Sequence, residues 1–119
     1  MRDHRKSLGT AGEDAAVEHL CRQGYRILKR NFKLSFGEID IVAARDGCVC
    51  FVEVKTREND FYSDPFEAVH EKKQNTIRKM AECFLEFKGL EDVDVRFDVV
   101  TVIGRGPSDF VIEHLEDAF

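Results

Sequence analysis

A mixed α/β sheet with helices packed on it is the fold class this sequence predicts, and three observations carry it. Two apolar, alternating runs meet at Asp46-Gly47, the signature of a β-hairpin with a two-residue type I′ turn. Two other segments repeat their apolar residues at helical spacing, one before the hairpin and one after it. A strongly β-branched run, Val93 to Ile103, then follows the second helix. With the flanking runs the order becomes α, β, β, β, α, β, β, which suits helices layered on a mixed sheet. No internal repeat, low-complexity segment or linker interrupts it, so residues 1–119 read as one domain.

Thr10-Ala-Gly-Glu13 has the form of a capping box and opens a helix that runs to about Gln23, with Gly24 as its stop. Its apolar stripe is Ala16, Val17, Leu20 and Cys21. Glu13 falls three and four residues before Ala16 and Val17, so it lies on the stripe side. It either closes the capping box or points a carboxylate toward the sheet. Tyr25 to Phe32 is a first strand whose Lys and Arg content suits a sheet edge. Arg57 to Asp64 is a polar loop, and Pro65 suits the first turn of a second helix, Phe66 to Lys88, stopped by Gly89. Its stripe is Phe66, Val69, Ile77, Met80, Ala81 and Phe84. Lys73 lies on that stripe side, where it either snorkels past the core edge or meets a phosphate. Val93 to Ile103 and Phe110 to Leu115 are the last two strands, separated by Gly104-Arg-Gly-Pro107.

The hairpin carries the chemistry. If Arg45 opposes Cys48 across the turn, Asp40 lies opposite Glu53 and Glu38 opposite Lys55. Alternation then sends Glu38, Asp40, Glu53 and Lys55 to one side, and Ile39, Ile41, Ala43, Cys48, Cys50, Val52 and Val54 to a core side. Opposed Cβ atoms lie roughly 5 Å apart. Two like charges at that separation repel by about 3 kcal/mol at an effective dielectric of roughly 20. A cation between the carboxylates would remove the penalty, which makes this spacing a metal-site geometry. The plainer alternative is a wet strand face on which Glu38 and Lys55 form a cross-strand ion pair.

Composition narrows the classes. Of 119 residues, 43% are hydrophobic, enough for a real core. No apolar run approaches a membrane span and the N-terminus lacks a secretory h-region, so a cytoplasmic location is expected, away from membranes. Cys21, Cys48, Cys50 and Cys83 contain no Cys-x-x-Cys pair and read as small buried residues in a reducing compartment. The net charge of −5 excludes a general basic coat for nucleic acid. Its distribution is uneven, however. Residues 1–33 carry eight Lys/Arg against four Asp/Glu, and residues 82–119 carry three against ten, so a basic N-terminal face could hold a phosphate backbone locally.

Asp40 followed by Glu53-Val-Lys55 on paired strands resembles the PD-(D/E)xK nuclease superfamily, and the preceding helix with Glu13 resembles the archaeal Holliday-junction-resolvase variant of it. More closely, the chain is similar to the YraN-type family of small bacterial endonuclease-like proteins. The matching pieces are Gly12-Glu13 with Ala16, Gly24-Tyr25-Arg-Ile-Leu, Arg30-Asn31, Gly37 to Ala43, Phe51 to Arg57, Lys73-Gln74, Arg96 to Val100 and Asp117-Ala-Phe119. They run in order through nearly the whole chain. One departure is that Ile39 stands where the superfamily has a proline before the acid.

The resemblance implies a restriction-endonuclease-like fold and a Mg²⁺- or Mn²⁺-dependent endonuclease that hydrolyses phosphodiester bonds, with branched DNA as a candidate substrate and DNA ahead of RNA. It implies Glu13, Asp40, Glu53 and Lys55 as catalytic residues. Asp40 and Glu53 would hold the metal, with the Val54 carbonyl as a third ligand and Glu13 in support. Lys55 would orient or deprotonate the attacking water. Lys73, Gln74 and Arg57 are the expected substrate contacts and Glu38 an auxiliary carboxylate. Symmetric cutting of two strands makes a homodimer an expectation. The alternative is a non-catalytic nucleic-acid-binding or protein-interaction module that keeps the nuclease fold.

Overall fold

The computed structural model describes residues 7–59 and 70–119. In chain order the elements are α1 (Leu8–Arg22), β1 (Arg26–Leu34), β2 (Gly37–Arg45), β3 (Cys48–Arg57), α2 (Glu71–Lys88), β4 (Asp94–Ile103) and β5 (Val111–Leu115). They form one five-stranded sheet in the order β1-β2-β3-β4-β5, with β3 and β4 parallel and the other pairs antiparallel. This is the expected αβββαββ mixed sheet, with a restriction-endonuclease-like architecture. Pro65, Phe66 and Val69, expected to begin the second helix, lie outside the described residues, as does the loop beyond Asn59.

Local chemistry explains the punctuation. Asp46 and Gly47 both take positive φ, 51° and 75°, as a type I′ turn requires, and Arg45 pairs with Cys48 as the spacing predicts. Gly89 ends α2 in the left-handed conformation. The α1 cap differs from expectation. Ser7 is the N-cap, and its Oγ accepts the Thr10 N–H at 3.2 Å, so the helix starts earlier and Glu13 sits in its second turn. That leaves Glu13 free of any capping role.

Helices cover both faces of the sheet. On one, Ile77, Met80, Ala81 and Phe84 of α2 pack on Val42, Val49, Phe51 and Val99. On the other, Ala16 and Leu20 of α1 pack on Ile41, Ala43, Cys50, Val52, Val100 and Val102. The expectation of one wet face is therefore corrected. Parallel pairing of β3 with β4 needs a crossover, and α2 buries the side that carries Glu53. Phe84 is buried and touches Phe32 and Phe51 edge-on, so truncating it to Ala would cost about 3–5 kcal/mol.

Two smaller corrections follow from packing. Cys21 is exposed, Cys48 and Cys83 are half-buried, and only Cys50 is buried. The α1 seam is Gly12, Ala16 and Leu20, a strict four-residue spacing that turns Cys21 about 100° away from the sheet. At Gly12 an added Cβ would lie 2.0 Å from Thr56 Oγ1, so the helix backbone rests directly on β3. The second correction is that Ile39 and Ile41 join opposite clusters, so alternation fails between them. Asn31, which falls between the Arg30↔Ile41 and Phe32↔Ile39 pairs on β1, has φ 51°.

Candidate active site

The break in alternation is where the site is built. Paired residues of β2 and β3 run from Arg45↔Cys48 to Ile41↔Val52 and stop one step short of Asp40 and Glu53. In place of a ladder contact, the Asp40 side chain accepts the Val54 N–H through Oδ2 at 2.8 Å. Beyond this fork β3 continues beside β4, through Glu53↔Val99 and Lys55↔Thr101. The expected pairing of Glu38 with Lys55 is corrected for the same reason. Glu38 is exposed and registers with Lys33 of β1 instead.

Glu53 is buried, with 8% of its side chain exposed. Its Oε1 receives Lys73 Nζ from α2 at 2.5 Å, while its Oε2 is buried and has no hydrogen-bond partner among the described residues. A buried carboxylate oxygen without a donor is expensive unless something else neutralises it. Burial, then the charge of Glu53, pushes Asp40 up to about 7, and Glu13 adds to the rise. Burial likewise lowers Lys55, helped by the Lys73 and Arg57 charges and opposed by Glu53 and Asp40.

An open cleft of about 420 Å³ lies on the α1 side, lined by Ser7, Gly9, Thr10, Glu13, Asp40, Val54, Lys55 and Thr56. Glu13, Asp40 and Lys55 are thus brought together, whereas Glu53, paired with Lys73 of α2, is not among the residues that line this cleft. Glu13 is held by the β1 edge, where its Oε1 accepts from Asn31 Nδ2 at 3.0 Å and from Arg30 Nη2 at 3.2 Å. Among the described residues no three His, Cys, Asp or Glu side chains are gathered closely enough to hold a metal ion. The donor set available to a hard cation is therefore two carboxylates, Asp40 and Glu53, the Val54 N–H already being taken by Asp40. Two carboxylates with water completing the shell suit Mg²⁺ or Mn²⁺ better than an all-protein cage. The bare Glu53 Oε2 fits such a cation.

Of the expected substrate contacts, Lys73 is engaged by Glu53, Gln74 is half-buried in the first turn of α2, and Arg57 is exposed at the end of β3. Sequence reasoning missed a second polar cluster on the α1 face. Asp98 is fully buried and accepts from Arg96 Nε and Nη2 at 2.9 and 2.8 Å, from the Asp117 N–H at 3.0 Å, and pairs with His114 Nε2 at 2.7 Å. Arg96 also donates to the Tyr25 hydroxyl. The signal was present: Arg96 and Asp98 are two apart in a β-branched strand and share a face.

No helix among the described residues is long and apolar enough to cross a membrane. Residues 12–102 match the profile described as "Uncharacterised protein family UPF0102". The chain is 45% identical over 117 residues to a UPF0102 protein of Prosthecochloris aestuarii, covering 94% of this chain and 92% of that one. It is 43% identical to a UPF0102 protein of Dictyoglomus turgidum, covering 98% and 99% of the two chains. A third relative, from Geobacter sulfurreducens, is 46% identical, with 98% and 91% covered. With a match over most of its length and several relatives above 40% identity, the chain belongs to the UPF0102 family, the YraN family of the resemblance.

Proposed function

We propose that this protein is a metal-dependent nuclease that hydrolyses phosphodiester bonds of nucleic acid, DNA ahead of RNA. The observation that carries the reading is the buried Oε2 of Glu53, partnerless among the described residues, together with a carboxylate, Asp40, whose ionisation Glu53 opposes. A fold keeps two such groups at cost, and a divalent cation is the ligand that removes it. Asp40 and Glu53, with the Val54 carbonyl, would hold Mg²⁺ or Mn²⁺, which would acidify water and supply positive charge for the phosphate oxygens.

The chain's own residues do the rest. The Val54 N–H fixes the Asp40 carboxylate through Oδ2. Lys55 lines the cleft with a lowered proton affinity, which suits an ammonium that orients water or meets negative charge developing on phosphorus. Glu13, anchored by Arg30 and Asn31, supports the cleft from its α1 wall through water rather than as a direct ligand. Arg57, exposed at the end of β3, is the cation assigned to the phosphate backbone.

A non-catalytic nucleic-acid-binding reading has one observation in its favour. The Lys73–Glu53 ion pair already satisfies half the site without a cation. A cleavage screen with Mn²⁺ on linear, nicked, flapped and four-way DNA, with Glu53→Ala as control, separates the two. Metal-dependent cutting lost in the mutant supports the nuclease. Binding without cutting supports the module, and neither binding nor cutting removes both.

A further inference from the structure

We propose that Phe36 is a base-stacking residue, and that the substrate of the site above therefore presents an unpaired base beside the backbone to be cut: a single strand, flap or junction, not an uninterrupted duplex. The inference rests on the nuclease reading and narrows its substrate class.

Ser35 and Phe36 are the two central residues of the β1–β2 hairpin, bounded by the pair Leu34↔Gly37. Phe36 is 50% exposed. A single exposed aromatic is ordinary on a protein surface, so position and support must distinguish this one. The support is rigid. A Cβ on Gly37 would lie 2.6 Å from Met80 Sδ and 2.7 Å from Thr76 Cγ2, so the hairpin backbone is pressed onto α2, and Met80 there is fully buried. The neighbours Phe32 and Leu34 turn inward against the α2 cluster while Phe36 stays out. The ring is thus displayed on a fixed platform.

Position gives it a task. Because β2 and β3 are antiparallel, the turn sits at the same end of the sheet as Lys55 and Arg57. Phe36 precedes Asp40 by four residues, roughly 13 Å along an extended strand at about 3.3 Å per residue. Cations stand at this end of the sheet: Lys55 and Arg57 at the end of β3, and exposed Lys33 on the edge strand. An aromatic face among cations that track a phosphate backbone is how sequence-tolerant single-strand binding is built. In a continuous duplex the base faces are stacked on one another and offer the ring nothing to cover.

The chain contains no Trp, so Phe36→Trp installs a single fluorescent reporter at the turn. Phe87, 69% exposed near the far end of α2, provides the matching control as Phe87→Trp. Each variant is titrated with a single-stranded oligonucleotide, a flapped duplex and a blunt duplex, with and without Mn²⁺, while labelled-oligonucleotide anisotropy reports binding independently. Quenching of the Phe36→Trp signal by the single strand and flap, little by the blunt duplex and none in the control, is the expected result. Phe36→Ala, checked for folding by circular dichroism, should weaken single-strand binding about tenfold or more and leave duplex binding unchanged, in line with the loss of one base–aromatic stack. Binding by anisotropy with a silent Phe36→Trp reporter, or equal losses for duplex and single strand in Phe36→Ala, overturns the stacking role and leaves the nuclease reading intact. Failure of every oligonucleotide to bind overturns both.

Discussion

Lys73 Nζ lies 2.5 Å from Glu53 Oε1, so a lysine from α2 serves one oxygen of a carboxylate whose other oxygen is buried and unserved among the described residues. The ion pair joins two residues 20 positions apart and ties the crossover helix to the centre of the site. It makes Lys73 the internal counter-ion of the carboxylate pair. A substrate phosphate would reach this ammonium only by competing with Glu53 or by adding to the same cluster.

Removing that counter-ion should therefore expose the need for another. Lys73→Met leaves Glu53 buried with both oxygens unserved beside Asp40, and should lower metal-free stability by about 1–2 kcal/mol, discounted because Lys73 is partly exposed. Mn²⁺ should then stabilise the mutant more than it stabilises the parent. Glu53→Gln loses the ion pair but also the repulsion, so its metal-free stability should stay near the parent's while Mn²⁺ stabilisation disappears. Thermal unfolding of the three proteins with and without Mn²⁺ decides. Equal Mn²⁺ stabilisation in all three would mean that the cation does not bind here.

How much of this was legible in the sequence depends on the range of the signal. The hairpin, its turn and the Asp40–Glu53 neighbourhood came from local spacing, because turn chemistry fixes register over a few residues. The cover over Glu53 did not. It depends on β3 and β4 running parallel, which α2 imposes from a distance, although the unbroken apolar run Cys48 to Val52 was a readable mark of a strand covered on both sides. The break that sends Ile39 and Ile41 to opposite faces has no marker in an alternating pattern. The Asp98 cluster was half visible through Arg96, but its partners Tyr25, His114 and Asp117 lie in three other segments.

The raised Asp40 sets a pH dependence with a definite sign. The folded chain holds the Asp40 proton up to about pH 7, whereas the unfolded chain releases it near 3.8. Folding therefore takes up a proton within that window, and its contribution to stability, full below the lower value, is lost as pH rises through the upper one. Metal-free protein should lose stability between about pH 4 and 7 by this route, and Asp40→Asn should flatten the curve there. Mn²⁺ should reverse the slope, since it binds the ionised form. Denaturant midpoints measured across this range, with parent and mutant paired at each pH, provide the check. Parallel curves for the two proteins would rule the raised Asp40 out.

Asp98 should behave oppositely. Burial pushes its proton affinity up, but the His114 and Arg96 contacts and the Asp117 N–H outweigh that and hold it below the ordinary value. Its stabilisation is present above about pH 4 and fades as pH falls through the depressed value. Asp98→Asn leaves Arg96 facing a neutral amide in a buried setting and should cost about 3 kcal/mol at neutral pH. Nucleic-acid cleavage by the mutant fraction that remains folded should match the parent, because the cluster lies apart from the cleft. A selective loss of cleavage at full folding would assign Asp98 to the site instead.

Gly12 sets the depth of α1. With Thr56 Oγ1 2.0 Å from where a Cβ would stand, Gly12→Ala must lift the helix or displace Thr56, an overpacking cost of about 1–3 kcal/mol. Thr56→Gly clears the clashing atoms, so the double mutant should recover part of the loss relative to the sum of the single changes. Strict additivity in unfolding free energies would show that the two residues do not press on each other.

The role of Lys55 can be separated from its charge. If it only balances Asp40 and Glu53, Lys55→Arg should keep most activity. If it positions a water or meets charge in the transition state, a planar guanidinium cannot replace a compact ammonium, and Arg cannot give up a proton. Burial together with the Lys73 and Arg57 charges already loosens the Lys55 proton, which favours the second role. Lys55→Arg and Lys55→Ala should both lose at least about a hundredfold in cleavage rate, the scale of a lost acid–base or electrostatic contact. Both should keep Mn²⁺-dependent stabilisation and oligonucleotide binding, since Asp40, Glu53 and the Val54 carbonyl remain. Near-normal cutting by the arginine variant would refute the catalytic assignment and leave the metal site standing. Loss of Mn²⁺ stabilisation in either variant would instead make Lys55 a structural prop of the carboxylate pair.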